Sequence, residues 1–548
     1  MKKKLLSVLL VGALSVSLLA GCGGSGGAAS SGGDAAAASG AAADTGASAA
    51  AQGGGETADA SGSKTLKFGC FGYAETLDPG DQINAAWDNS RLNIGECLFK
   101  FNDDMTVDYL LADDYSTEDN KTWVFHIRDG LKFSNGNDVT ASAVKASWEN
   151  VYANTEGSST PTKYMDYESI TADDDKREVT VVLKEPQFDL RNNLAYPVFM
   201  ILDTSEGFDW DTNPIGTGAY MLTAYEPKVS ATLVKNPNYW NGEVPFDNLE
   251  VYYISDDTKT MSLQSGDVNL VENITNTADL DALKADDNYN VSIAQGVRCG
   301  FAYINWAGIL KDDTLRQAVQ MAIDDDTLCN VTVGGLYTPG MSVLPSGLAY
   351  GYDKLKDPFA YDAAGAAKLL DDAGYVDTDG DGIREMNGKK ISLNYITYPS
   401  RRLSDFAEAV QATLTELGLE VNVNTTDSDT EWNLMVNGEY DLCDSNWTTV
   451  GNGDPTEYLA NWYSKGDANY CNYKNDEFDK LYEDLKAEFD LTKRAEILQK
   501  MQQILIDDAA VLVHGYYNSS FESDKTITGA NIHTADYYWI TTEIKPAS

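Results

Sequence analysis

Ile391-Ser-Leu-Asn-Tyr-Ile396, then the stripe Leu403, Phe406, Val410, Leu414 and Leu417, then Gly418 and Leu419-Glu-Val-Asn-Val423, read as strand, helix and strand. The outer stretches alternate with the strand period, the middle one repeats with the helix period, and Gly418 ends it as glycine commonly does. A β-α-β unit implies a parallel strand pair with a right-handed crossover, so the second half of the chain belongs to the α/β class.

Outward from this unit, residues 314–323 read as a helix. Asp362 caps a second helix that stops at Gly374, and Asn475 and Thr492 cap two more, running to about Glu488 and about Asp508. In the first half, Lys64–Gly69, Thr122–Ile127 and Glu178–Lys184 alternate as strands, and Thr140 caps a helix to about Tyr152. Trp123, Phe125 and Ile127 share one strand face, and His126 falls on the other, as a structural residue. No internal repeat is visible. The body therefore reads as two or three α/β lobes.

Composition narrows the function. The 548 residues are enough for several domains, and 43% hydrophobic content supplies large cores. Lys+Arg is 40 against Asp+Glu at 85, a formal net charge of -45. So acidic a surface repels phosphate backbones and anionic lipid, which argues against nucleic-acid binding. The three histidines (His126, His514, His533) lie at no metal-ligand spacing, which argues against a multi-histidine zinc enzyme.

The N-terminus carries Lys2, Lys3 and Lys4, an apolar stretch from Leu5 to Ala20, and Leu19-Ala20-Gly21-Cys22. The apolar stretch is short for a membrane span and is interrupted by Ser7, Gly12, Ser15 and Ser17, so residues 1–21 read as a signal peptide. The run into Cys22 resembles the bacterial lipobox, which implies lipidation of Cys22 and a body held at the outer face of the cell membrane. Residues 22–63 are almost entirely Gly, Ala and Ser, a flexible tether with a reach of roughly 35 Å. Six cysteines remain beyond it (Cys70, Cys97, Cys299, Cys329, Cys443, Cys471), and both disulfides and buried free thiols are open to them.

Four stretches in order resemble the peptide/nickel class (family 5) of bacterial solute-binding proteins, the extracytoplasmic receptors of ABC importers. They are Trp123-Val-Phe-His-Ile-Arg-Asp-Gly-Leu-Lys-Phe-Ser-Asn-Gly136 with Val139-Thr140-Ala141; Pro214-Ile-Gly-Thr-Gly-Ala-Tyr220 with Lys235-Asn-Pro-Asn-Tyr-Trp240; Leu315-Arg-Gln-Ala-Val319; and Asp379-Gly-Asp-Gly-Ile-Arg-Glu385. Locally, Gly216 and Gly218 suit a tight turn, and Arg128 suits buried hydrogen bonds. The resemblance implies a two-lobed periplasmic-binding-protein-like fold of the class II type with an inserted subdomain. Lobe 1 would comprise 64–96, 204–305 and 517–548, the insertion 97–203, and lobe 2 306–516, with crossings near Asn305 and Tyr516. It also implies a monomeric binding protein, not an enzyme, that delivers a small polar ligand to permease subunits.

In peptide receptors of this class an aspartate after a tryptophan pairs with the ligand's amino terminus. Here the matching segment is Trp447-Thr448-Thr449-Val-Gly-Asn-Gly-Asp454-Pro455, and the aspartate's place falls at Val450 or Gly451. Asp444 and Asp454 are the candidate substitutes. The loop Tyr398-Pro-Ser-Arg401-Arg402, the helix Gln502-Gln503-Ile-Leu-Ile-Asp507 and the tail Thr542-Glu-Ile-Lys-Pro546 look more like the nickel/metallophore branch. Arg401 and Arg402 are candidate clamps for ligand carboxylates, because guanidinium forks match carboxylate geometry. Trp447, Trp87, Trp306, Trp432 and Tyr398 are candidate cleft walls. A chelate carrying nickel or another transition metal is favoured over a short oligopeptide, and the chelator would supply most of the metal's ligands. No cofactor is otherwise implied.

Two further motifs point elsewhere. Asp377, Asp379 and Asp381 form the first half of an EF-hand-like calcium loop, but Gly388 stands where its twelfth-position acid belongs, so an acidic turn is the expectation. Ser142-Ala-Val-Lys145 matches S-x-x-K without the partner motifs of penicillin-binding enzymes, leaving a secreted hydrolase with no catalytic constellation.

Overall fold

The structure, a computed structural model, describes residues 64–548 apart from 73, 155–159 and 206. The signal peptide, Cys22 and the tether lie outside the described residues. An eleven-stranded mixed sheet runs through the body in the order 420–425, 392–397, 442–448, 289–304, 511–524, 270–272, 65–70, 248–253, 230–235 and 220–226, with the short strand 337–338 paired to 511–524. A separate antiparallel sheet orders 112–117, 122–127, 178–183 and 167–173.

The β-α-β reading holds. Ser392–Thr397 pairs in parallel with Glu420–Thr425, and the helix Leu403–Glu416 connects them. Phe406, Val410 and Leu414 are fully buried against the sheet, as their spacing requires. The caps at Asp362 and Asn475 form as read, each side chain accepting backbone N–H groups of its helix. The expected cap at Thr492 is two residues off: the helix is Leu491–Asp507, and the Asp490 carboxylate accepts from the Lys493 N–H at 3.0 Å. Both residue types cap well, and the anionic acceptor lies where the helix N-terminus favours it.

Four cores divide the body. One gathers the four-stranded sheet with segments 97–111 and 190–210, and a second the strands around 65–70 and 219–251 with the C-terminal Trp539, Ile540 and Ile544. Two more flank the 289–304, 392–397, 442–448 and 511–524 strands. This is the two-lobed architecture with an inserted subdomain. The strands Tyr289–Ile304 and Val511–Asp524 are the shared elements. Residues 289–295 pair with 518–524, whereas 298–304 pair with 442–448 of the second lobe. A register shift lies between these two stretches, from Gln295 to Cys299.

The glycines of Pro214–Tyr220 serve close approach instead of a turn. A Cβ on Gly216 would lie 2.1 Å from the Ile94 carbonyl oxygen, and one on Gly218 would lie 2.2 Å from that of Asn93. Between them Thr217 donates to the Glu96 carboxyl at 2.7 Å, and Trp240 donates to the same oxygen at 2.9 Å. Arg128 donates to the Leu110 carbonyl and lies over the Trp240 ring, as expected of a structural arginine. The six cysteines are buried free thiols. Among the described residues no helix is long and apolar enough to cross a membrane.

Candidate functional site

The strand Leu442–Thr448 carries alternate side chains to opposite fates. Asp444 is fully buried; it accepts from Tyr395 at 2.7 Å and Thr397 at 2.6 Å, and His514 Nε2 lies 2.7 Å from it. His514 in turn stacks on Phe406 at 4.7 Å between centroids. Asp444 is thus consumed inside the lobe and presents nothing to a ligand. Asn446, Trp447 and Thr448, at the end of the same strand, line a cavity of about 420 Å³. The opposite wall brings Ile83 and Trp87 from the helix Ile83–Arg91, Lys163 and Tyr164 from Thr160–Tyr164, and Tyr196. The volume lies within the range of small-molecule pockets, and aromatic walls bury ligand area at low entropic cost.

The structure therefore brings Trp87, Trp447, Thr448, Thr449 and Asp454 to one cavity. Thr449 is a fastener there: its N–H and its hydroxyl both donate to the Val297 carbonyl, at 2.9 and 2.8 Å. Asp454 is held by Arg494, whose guanidinium also lies over Phe188. The two positions where peptide receptors place their aspartate are also occupied otherwise. Val450 is buried in the inserted subdomain's core, and the Gly451 carbonyl accepts from Tyr537 at 2.9 Å.

Arg401 and Arg402 lie in an adjoining cavity of about 110 Å³, with Glu272, Asn273 and Tyr517. Both have left-handed backbones, φ 51° and 58°, a conformation that costs a non-glycine residue about 1–2 kcal/mol. The turn directs the Arg401 carbonyl to the Tyr337 hydroxyl at 3.0 Å, and that hydroxyl accepts from Asn446 at 3.1 Å, linking the two cavities. Arg402 is engaged by Asp405. Tyr398 lines neither cavity; it is half-buried, and burial and the nearby Glu431 push its hydroxyl's pKa up, while Arg401 opposes them.

Trp306 and Trp432 line neither of these cavities. Trp306 packs under Arg316 at 3.6 Å, and Trp432 sits exposed on its helix beside Tyr470. Sequence reading missed Arg298, which lines the main cavity from the 289–304 strand and reaches Asn446 at 3.4 Å, and it missed Lys163, Tyr164 and Glu457. Nothing in their local pattern marks them: each is a single polar residue, and Tyr164 packs in the inserted subdomain's core. A second cavity of similar size, about 440 Å³, lies between residues 90–103 and 531–543, and Cys97, Tyr239, His533 and the Thr542–Glu543 part of the C-terminal tail line it.

The family described as bacterial extracellular solute-binding proteins, family 5, matches residues 106–470, more than half of the chain. The chain belongs to this family. It is a solute-binding protein of an ABC importer of the peptide/nickel class. The oligopeptide-binding protein OppA of Bacillus subtilis is 25% identical over 510 residues, covering 86% of this chain and 91% of the relative. The nickel-binding protein NikA of Staphylococcus aureus is 26% identical over 341 residues, 62% of this chain and 65% of the relative. In fold, the crystal structure of NikA from Brucella suis with Fe(III)-EDTA superposes with a TM-score of 0.79 at 21% identity, covering 88% of this chain and 99% of that one. Within this family fold the acidic loop sits far along the second lobe. Asp377, Asp379 and Glu385 bring carboxylate oxygens within 4.8 Å of one another, while Asp381 pairs with Lys390. Lys145 of the S-x-x-K run pairs with Glu149 at 2.8 Å, an ordinary helical ion pair.

Proposed function

We propose that the protein captures a small carboxylate-bearing solute between its lobes and passes it to the importer's permease, and that a metal chelate is preferred over a peptide. The charge inventory of the cavity carries this reading. Both acids in the lining are committed, Asp454 to Arg494 and Glu457 to Lys163 and Tyr164, and Asp444 is sealed in the core. A peptide's amino terminus would therefore forgo a charge-assisted bond worth about 1.5–3 kcal/mol. Arg298 in the lining and Arg401 beyond Asn446 are cations suited to ligand carboxylates. No histidine lines the cavity among the described residues, so a metal would arrive with its ligands already on it. Cys22 would bear the lipid that holds the body at the outer face of the cell membrane.

A short peptide is the second reading, and one observation favours it: an amine that displaced Lys163 would regain Glu457 as partner. Thermal unfolding against nickel–histidine chelate and against mixed di- and tripeptides separates the two. A ligand at a hundred times its dissociation constant adds about 2.7 kcal/mol. That raises the midpoint by roughly 5–10 °C. The rise is expected with the chelate; a rise with peptides alone would reverse the preference.

A further inference from the structure

The two acids of the main cavity differ in what they hold. Asp454 is tied within its own lobe. Glu457 reaches across: its carboxylate accepts from the Tyr164 hydroxyl at 2.6 Å and lies 3.3 Å from Lys163 Nζ. Tyr164 packs in the inserted subdomain's core, and Tyr458 and Leu459, adjacent to Glu457, pack in a second-lobe core, so these bonds join the two walls. All three side chains line the cavity. Tyr164 is 7% exposed, whereas the Glu457 and Lys163 side chains are 40% and 53% exposed. One end of the contact is thus anchored, and the other lies in water at the rim. Two neutral bonds cross beside it, Asn452 to Asn193 at 2.8 Å and Tyr537 to the Gly451 carbonyl.

We infer that Glu457 is a specificity-determining residue: it bolts the mouth of the cavity to Tyr164 and Lys163, and so limits solute length and holds the loaded form closed. The inference rests on the cavity being the ligand site. A solute that fits leaves both bonds intact. A longer one must run past Glu457 and break them, leaving a carboxylate and a buried hydroxyl to find water. A contact that exists only with the lobes together also stabilises the closed state whatever lies inside. Because the ion pair is at the rim and screened, the anchored hydroxyl bond is expected to contribute more than the pair with Lys163.

The test uses the full-length protein and three variants, Glu457→Ala, Glu457→Gln and Tyr164→Phe, each first checked for a wild-type circular dichroism spectrum. Amide hydrogen exchange without ligand reports the bolt alone. Exchange across residues 160–164 and 449–459 is expected to quicken in Glu457→Ala and Tyr164→Phe, by about threefold to fivefold, and less in Glu457→Gln. Binding of nickel–histidine chelate and of alanine peptides from two to six residues then reports the length limit. Glu457→Ala should release the chelate faster at an unchanged association rate and accept longer peptides than the wild type does. Unchanged exchange, release and length limit in all three variants would overturn the inference. Quickened exchange in a protein whose wild type binds neither probe would uphold the bolt and overturn the ligand reading. Binding with unchanged exchange would do the reverse.

Discussion

Two stretches of the second lobe, the β-α-β unit at 392–425 and the loop at 446–458, are built by opposite rules. The unit is made by neighbours in the chain: its strands pair with each other, its helix packs back on them, and Phe406, Val410 and Leu414 are buried because their spacing puts them on one face. The loop is made by strangers. Thr449 is fastened to Val297, Gly451 to Tyr537, Asn452 to Asn193 and Glu457 to Tyr164, partners 86 to 293 residues away. A framework can be local; a cleft wall is completed by the opposite lobe. Disturbing the first should cost stability, and disturbing the second should cost binding.

The largest effect is expected at Asp444, which belongs to the framework although it lies two residues from the wall. Asp444→Ala leaves Tyr395, Thr397 and His514 buried without their common acceptor, and should cost about 3–5 kcal/mol in urea unfolding. Loss of ligand binding at wild-type stability would instead make Asp444 an amine anchor. The next effect is a pH slope. Burial, with Glu272 beside it, pushes the Glu522 carboxyl from its usual 4.5 up to about 8. A carboxyl that holds its proton more tightly when folded stabilises fully below its unfolded value, and that contribution is lost as pH rises through the folded value. Stability should therefore fall between about pH 5 and about pH 8, by up to roughly 1.4 kcal/mol per unit from this group, and Glu522→Gln should flatten the fall. An equal slope in the variant would assign the decline to other groups. The smallest stability effect belongs to the wall: Trp447→Ala should change unfolding by about 1 kcal/mol or less. The same change should weaken chelate binding by about tenfold or more in calorimetry.

What the sequence revealed follows the same division. Strand alternation, the 403–416 stripe and the caps at Asp362 and Asn475 are local signals, and they appear in the fold where they were read. The Thr492 cap failed because Asp490, two residues earlier, competes with the same chemistry and wins. The Gly216 and Gly218 reading failed because their neighbour is backbone at 93–95, far off in sequence. Trp447 was named through the resemblance to the family's ligand-proximal tryptophan, and Trp87, Trp306 and Trp432 as large aromatics; packing puts Trp87 and Trp447 in one cavity lining, Trp306 under Arg316 and Trp432 beside Tyr470. Arg298 is a single arginine in a long strand, and its place beside Asn446 and the Trp87 ring is set by distant parts of the chain.

The most direct measurement of the central claim is anomalous scattering at the nickel edge from crystals grown with nickel–histidine chelate. The account predicts one strong peak inside the cavity bounded by Trp87, Arg298 and Trp447, with the chelate's carboxylates toward Arg298. An empty cavity with the peak at Asp377, Asp379 and Glu385 would contradict it, and would move the metal from the cleft to the acidic loop.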